Sequence, residues 1–316
     1  MQNLIKNKTI INEHSSRCEL NVFLCFNDKY AFQAGVTVSS LLKNNTNISI
    51  HLFMIDVSDN NKTYFQQLSY YNNTIIFYDV DSSIIANEHK LKDHHIPTSL
   101  RIFVPQILTE IEKLIYLDSD IICHSSLSPL LEINFEDNIV LAAKDEEESQ
   151  KTQCPLFDIH YGEYFNAGVM IIDTNAWNNN NITQKSMDLL DNRRKEFRLL
   201  DQDALNIALK NQTKIIANNY NKIVSICEHQ IVPALNKNDV LIHFAGPIKP
   251  WFADTIPELY QYYQQISPWN AIKLDKRPKE SASKYRLLAK QQFKEKHPLK
   301  AIKYTLIYIL KKLIKK

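Results

Sequence analysis

Two carboxylates one residue apart at the end of an apolar run are the first residues here able to do chemistry. They stand in Lys113-Leu114-Ile115-Tyr116-Leu117-Asp118-Ser119-Asp120-Ile121-Ile122. The apolar stretch reads as a buried strand, and side chains two apart in extended chain point to one side. Open α/β sheets bind ligands at the C-terminal ends of their strands. Asp118 and Asp120 are therefore placed to share one hard cation that also holds a diphosphate. The same spacing recurs as Asp79-Val80-Asp81 after another strand and as Asp201-Gln202-Asp203 at the start of a helix. For any one of the three alone, solvated caps and turn residues are the simpler account.

A histidine and a lysine sharpen the choice. His243 follows the apolar run Val240-Leu241-Ile242 and opens His243-Phe244-Ala245-Gly246-Pro247-Ile248-Lys249-Pro250-Trp251. An imidazole at a strand end can ligate a metal, Gly246-Pro247 permits a tight turn, and Lys249 brings a point charge for phosphate. A lone histidine there is more often structural. With Asp118 and Asp120 it gives two oxygens and one nitrogen, a set suited to manganese or magnesium held jointly with substrate phosphates. A third group lies in Phe165-Asn166-Ala167-Gly168 and Leu200-Asp201-Gln202-Asp203. Asn166, Asp201 and Gln202 are good partners for sugar hydroxyls, although a turn residue and a helix cap are the plainer readings.

The elements that must position these residues alternate. Leu20–Phe26, Ile48–Ile55 and Thr74–Tyr78 read as buried strands, with helices over Tyr30–Lys43 and Asp59–Ser69 between them. Further strands are predicted at Lys113–Leu117, Ile139–Ala143, Val169–Ile172 and Val240–His243. Strand–helix alternation signals an α/β domain with a mostly parallel sheet. We divide the chain into an N-terminal extension (1–19), a catalytic domain (20–256) and a helical, basic C-terminal region (257–316), because the pattern turns polar-aromatic and then Lys-rich from about Pro257.

Composition excludes some chemistry. The 316 residues include four glycines, Gly35, Gly162, Gly168 and Gly246, where average usage would give roughly 22. No Gly-rich phosphate cradle can be written, so bound phosphates must be met by side chains, a metal or a helix N-terminus. The five cysteines, Cys18, Cys25, Cys123, Cys154 and Cys227, are scattered and never form a C-x-x-C pair. They imply neither zinc nor a disulfide framework, and a reducing compartment fits them. The first 20 residues hold no apolar core of signal-peptide length, and no run approaches a spanning helix. A cytoplasmic protein is expected, with no nucleic-acid partner. From Asn270 onward there are 15 Lys and Arg against 3 Asp and Glu, and the rest of the chain is acidic. Such a tail calls for an anionic partner of its own. From Pro298, helical spacing gathers Leu299, Ile302, Leu306, Ile309, Leu310 and Leu313 on one face. Lys300, Lys311, Lys312, Lys315 and Lys316 lie away from its centre. The tail is expected to lie in the interface of an anionic membrane, the alternative being that it packs on the protein's own acidic body.

Taken together, FNDKYAFQAGVTVSSLL, PTSLRIFVPQIL, KLIYLDSDIIC, YFNAGVMIIDTNAW, LLDQDALN and IHFAGPIKPW resemble glycosyltransferase family 8, in the family's order, over about Leu20 to Trp269. The resemblance implies a nucleotide-diphospho-sugar transferase fold of the GT-A type and transfer of a hexose with retention of configuration. Ser267-Pro268-Trp269 followed by a basic tail looks like the branch that adds galactose or glucose to the core of lipopolysaccharide or lipooligosaccharide. By that resemblance Asp118, Asp120 and His243 would bind the metal, and Gly246 and Lys249 the diphosphate of a UDP-hexose. Asn27 and Asp28 would lie at the uracil and ribose, with Ser119 also at the donor, and Arg101, Asp145, Asn166, Asp201 and Gln202 would line the sugar pocket. Asp145, Asp201 and Gln202 are its catalytic candidates. Asn27 stands where relatives often carry aspartate and Lys29 where asparagine is common; an asparagine carbonyl still accepts from uracil N3–H. Two other classes are kept beside it, a metal-dependent phosphoester hydrolase and a non-catalytic membrane-surface module that binds nucleotide sugars.

Overall fold

The architecture follows from a computed structural model. It describes residues 4–13, 18–70, 73–89, 91, 96–224, 226, 235–246, 248–276, 285–286, 289–290, 292–293 and 297–313. Cys227, Pro247, Lys315 and Lys316 lie outside the described residues.

Period-two burial builds the centre. In β2 (Leu20–Asn27), Val22, Leu24 and Phe26 face one hydrophobic cluster while Phe23 and Cys25 face another on the opposite side of the sheet. A strand apolar on both faces belongs in the middle of a covered sheet. β2 pairs in parallel with β3 (Ile48–Ile55) on one side and β5 (Lys113–Leu117) on the other, and β3 with β4 (Thr74–Val80). The eight-stranded order is completed by β1 (Ile5–Asn12) at the β4 edge, and beyond β5 by β8 (Val169–Asp173), β7 (Val140–Ala143) and β9 (Thr213–Ile216). β1, β5–β8 and β7–β8 pair antiparallel, and β7–β9 in parallel. The sheet is thus mixed and mostly parallel. Residues 1–19, set apart by sequence as an extension, contribute its edge strand.

A second, three-stranded sheet is small and decisive. β11 (Leu241–His243) runs parallel to β10 (Lys222–Ile223) and antiparallel to β6 (Ile121–Cys123), with His243 opposite Ile121. The chain leaves the large sheet at Leu117 and enters the small one at Ile121, and Asp118-Ser119-Asp120 is the bridge. Asp118 N–H donates to Gly168 O at 2.9 Å, continuing the β5–β8 ladder. Phe244 N–H donates to Asp120 O at 3.0 Å, continuing the β6–β11 ladder. Thr37, from α1 (Ala31–Asn44), donates to Ser119 O at 3.1 Å and Ile121 O at 2.8 Å.

Chain compactness divides the protein into residues 1–251 with 255–273, and 252–254 with 274–316. The first unit therefore runs past the sequence-based boundary at 256. It takes in the helix Glu258–Ile266, whose Tyr260 and Tyr263 join a cluster with Ile122 and Phe244, and the buried Trp269. Trp269 explains one glycine. A Cβ on Gly35 would meet Trp269 Cζ3 at 2.1 Å. The indole packs on Phe65 and donates Nε1–H to Asn61 at 3.1 Å. The second unit is described by its helix Pro298–Leu313.

Gly35→Ala should lower stability by about 1–3 kcal/mol through overpacking, although alanine is the better helix former by about 1 kcal/mol. Urea unfolding measures this, and a variant at least as stable as the parent would contradict the packing account.

Candidate active site

At the C-terminal ends of β2 and β5 a cleft of about 580 Å³ is lined by Asn27, Tyr30, Tyr116, Asp118, Asp120 and Lys249, among others. Asp118, Asp120 and His243 place a ligand atom each within 4.8 Å of one another, the one such acidic-histidine group among the described residues. His243 Nε2 lies 3.2 Å from Asp120 Oδ1 and 3.8 Å from Asp118 Oδ2. Asp120 Oδ1 is buried and accepts no hydrogen bond. Two carboxylate oxygens and an imidazole nitrogen converging at these distances fit a hard divalent cation. The cradle is tight, because a Cβ on Gly168 would lie 2.3 Å from His243 Cε1 and 2.9 Å from Asp118 Oδ2.

Charge is balanced locally. Lys249 Nζ donates to Asp120 Oδ2 at 2.7 Å and to Phe244 O at 3.0 Å. Burial would raise the Asp120 pKa, but His243 and Lys249 hold it far below the usual carboxylate range. Burial would lower that of His243, and Asp120, then Asp118, raise it above its ordinary value instead. Arg101 is buried beside them. Its Nε and Nη2 contact Asp201 Oδ2 at 2.8 and 2.7 Å, and its Nη1 donates to Asp118 Oδ1 at 3.2 Å and to Ala167 O at 2.7 Å. Tyr116, two residues before Asp118 on the same side of β5, donates to Asp118 Oδ1 at 2.5 Å.

Asp145, Asn166 and Gln202 form one network. Asp145 accepts from Gln202 Nε2 at 2.8 Å, Asn166 Nδ2 at 3.3 Å and Glu146 N–H at 2.9 Å. Gln202 Oε1 accepts Ala167 N–H at 3.0 Å. Asn166 continues to Asn221 and His243. Gly246 sits in the bend after β11. Asp28 is committed elsewhere in part: its Oδ1 accepts from Ser58 N–H, Ser58 Oγ and Asn61 Nδ2, each at 2.8 Å, at the start of the helix Asp59–Gln66. Asn27 Oδ1 is buried without a partner. Asp79, Asp81 and Asp203, from the other carboxylate pairs, have structural partners. Asp79 pairs with Lys62 at 2.7 Å, and Asp81 accepts from Ser83 Oγ at 2.6 Å. Asp203 accepts from Tyr164 OH at 2.5 Å and from the N–H groups of Arg198 and Leu199 at 2.8 and 2.7 Å.

Sequence reasoning passed over Tyr116, Tyr164 and Asn221. Tyr116 was legible from its spacing to Asp118; Asn221, in Asn218-Asn219-Tyr220-Asn221, carried no signal. A larger cavity of about 990 Å³ lies at the opposite end of the strands, lined by Asn21, His51 and Tyr78 among others. Both ring nitrogens of its His51 are already engaged by Tyr78 and Asn21.

The sequence pattern of Glycosyl transferase family 8 matches residues 21–255. The chain belongs to that family. It is 26% identical to the lipopolysaccharide 1,3-galactosyltransferase of Salmonella typhimurium, covering 96% of this chain and 94% of that one. It is 27% identical to a lipopolysaccharide 1,2-glucosyltransferase of Escherichia coli, covering 97% and 95%. Among solved structures it is similar to galactosyltransferase LgtC in complex with donor and acceptor sugar analogs, with TM-score 0.67 and 22% identity over 82% of this chain and 98% of that one. The fold is therefore GT-A, and this family 8 member is a glycosyltransferase.

The turn into the helix Asp201–Ala208 is held under strain: Leu200 has φ 45°, a conformation costing about 1–3 kcal/mol in a non-glycine residue. The Asp203 carboxylate clamps it through the two N–H groups before it. Tyr164→Phe removes a donor from that buried carboxylate and should cost about 1–3 kcal/mol. Chemical denaturation tests this, and an unchanged midpoint would show that the tyrosine does not support the clamp.

Proposed function

We propose that this family 8 enzyme moves galactose or glucose from a UDP-hexose to a sugar of a lipopolysaccharide or lipooligosaccharide core, with retention of configuration and with manganese or magnesium. The observation that carries the reading is the convergence of Asp118, Asp120 and the buried His243 beside Lys249, with Asp118, Asp120 and Lys249 lining the cleft. The near full-length relatives named for lipopolysaccharide hexosyl transfer support the acceptor class.

Asp118, Asp120 and His243 would hold the metal, which when bound supplies Lewis-acid stabilisation of the leaving diphosphate. Lys249 would share that charge, and Gly246 and Ser119 would allow close approach of the donor. Asn27 Oδ1, buried and unpartnered, suits uracil N3–H as an acceptor. The second oxygen of Asp28 is left for the ribose. Arg101, Asp145, Asn166, Asp201 and Gln202 would bound the hexose. Retention needs a far-face nucleophile or entry on the face the diphosphate leaves. Asp201 is bound by Arg101, Asp145 has three donors, and the Gln202 amide is a weak nucleophile. That commitment favours same-face entry, with a departing phosphate oxygen taking the acceptor hydroxyl's proton.

The tail supports a location at the inner face of the cytoplasmic membrane. Among the described residues no helix is long and apolar enough to cross a membrane. Along Pro298–Leu313, however, Leu299, Ile302, Leu306, Ile309, Leu310 and Leu313 are 45–83% exposed. An apolar stripe edged by lysines suits an anionic interface, each lysine adding about 1 kcal/mol near the surface.

With manganese, slow hydrolysis of UDP-galactose or UDP-glucose, the released sugar retaining its configuration by NMR, is the expected result of a donor screen. Failure of every nucleotide sugar would sink the reading. Asp118→Ala or Asp120→Ala should remove this turnover at least 100-fold on the order of the loss of one preorganised electrostatic group, whereas the Asp79/Asp81 double alanine variant should keep it. Lys249→Ala should lower donor affinity and turnover together. Deleting residues 298–316 should release the protein from anionic vesicles at low salt while donor hydrolysis continues. Co-sedimentation equal to that of the full chain would remove the tail as anchor.

A further inference from the structure

One amide has its orientation dictated by a chain of donors and acceptors that begins in the backbone. Gly168 N–H, which can only donate, gives its hydrogen to Asn166 Oδ1 at 3.0 Å. Asn166 Nδ2 then faces the Asp145 carboxylate, which can only accept, at 3.3 Å. Asn166 is fixed at both ends, so the 3.0 Å contact from Asn221 to Asn166 Oδ1 must come from Asn221 Nδ2. That turns Asn221 Oδ1 toward His243 Nδ1, 3.0 Å away. An amide oxygen cannot donate, so Nδ1 must carry a hydrogen and Nε2 is the nitrogen left for the carboxylates, 3.2 Å from Asp120 Oδ1. Asn221 is 2% exposed and His243 likewise 2%, so water is in no position to replace the partner.

We propose that Asn221 is a positioning residue, fixing the tautomer and plane of His243 so that Nε2 faces Asp118 and Asp120, and tying that orientation to Asn166. Asn221 closes the short turn that leads into β10, and β10 pairs directly with β11, so strand pairing fixes the backbone positions of the amide and the imidazole relative to each other. A ligand imidazole whose other nitrogen is anchored keeps its ring orientation and gains basicity. Asn166 and His243 thereby share one rigid relay, so a change at the hexose end of the pocket is felt at the cation end. The inference rests on the metal reading given above, but its central element, the His243 tautomer, can be measured without a metal.

Asn221→Leu keeps the branched skeleton of four heavy atoms, with somewhat greater bulk, and removes the acceptor, while Asn221→Asp keeps an acceptor for Nδ1–H and loses the donor to Asn166. Calorimetric titration of manganese in the presence of UDP should show affinity falling about 10–100-fold in Asn221→Leu and changing only a few-fold in Asn221→Asp. The aspartate variant should instead raise KM for the donor sugar, because Asn166 loses its partner. Equal loss in both variants, or wild-type affinity in the leucine variant, overturns the proposal. The second readout is the two-bond ¹H–¹⁵N correlation of His243 in metal-free protein at alkaline pH. A hydrogen on Nδ1 in the parent, giving way to a mixture of tautomers in Asn221→Leu, is expected; a hydrogen on Nε2 in the parent refutes the proposal. If the parent binds no manganese, the metal reading fails while the tautomer measurement still decides the role of Asn221.

Discussion

The antiparallel pairing of Leu241–His243 with Ile121–Cys123 is the contact on which the site depends. It is only three residues long, yet it fixes His243 across from Ile121 and hands Phe244 N–H to Asp120 O. Without it, Asp118 and Asp120 would be two carboxylates at a strand end with no nitrogen between them. The bridge between the sheets has few ways to shift. Its first residue is held to Gly168 and its middle carbonyl to Thr37. The ladders on either side are buried, so slipping the register by one residue would turn Ile122 and Ile242 out of their apolar cluster. Core packing therefore sets where the carboxylates stand.

Scarcity of glycine shapes the electrostatics. On the proposed reading, a chain with no Gly-rich cradle would meet a diphosphate with side chains, a cation or a helix N-terminus. Here positive groups are built in beside the carboxylates that would hold the metal: Arg101 against Asp118 and Asp201, Lys249 against Asp120. These pairs are largely buried, so removing one partner strands a charge and costs several kcal/mol, more than the pair itself contributes. The same arrangement explains why Asp79 and Asp81, with equal spacing, differ. Their partners are Lys62 and Lys6 near the surface and Ser83 in the next turn, and among the described residues they belong to no acidic-histidine group.

Much of this was legible in the sequence, for identifiable reasons. Buried strands such as Ile48–Ile55 and Lys113–Leu117 were read with the bounds they have, because apolar runs covered on both faces leave a strong signal. Ile5–Asn12 was missed because it lies at an edge with most of its side chains exposed and shows no alternation; only its pairing with β4 makes it a strand. Thr213–Ile216 is short and half-buried, and Lys222–Ile223 is two residues long. At the site, strand ends and the family resemblance pointed to Asp118, Asp120 and His243, but they could not show that Asp203 serves the Leu200 turn or that one oxygen of Asp28 is taken by Ser58 and Asn61 at the start of a neighbouring helix. Asn221 stood among other asparagines, and its distinction is wholly three-dimensional. The tail was predicted as an amphipathic helix from Pro298, and the helix begins there; its apolar residues are exposed, and residues 314–316 lie outside those described.

The hydrogen-bond economy of the pocket bears on how a family with galactosyl- and glucosyl-named members can keep one frame. Galactose and glucose differ in the direction of one hydroxyl. Most polar valences of Gln202, Asp145 and Asn166 are already used within the protein. On the proposed reading, a sugar meets only the lone pairs and hydrogens left over, at angles the network has already set. A hydroxyl that matches one of them gains a bond, and one that points elsewhere leaves a buried group unpaired at about 1–3 kcal/mol. Selectivity of that kind needs no new residue. The plane of Asn166 is set by Gly168, Asp145 and Asn221, before any sugar is bound. On that reading, donor choice would draw on the relay behind the pocket as well as on the side chains that line it.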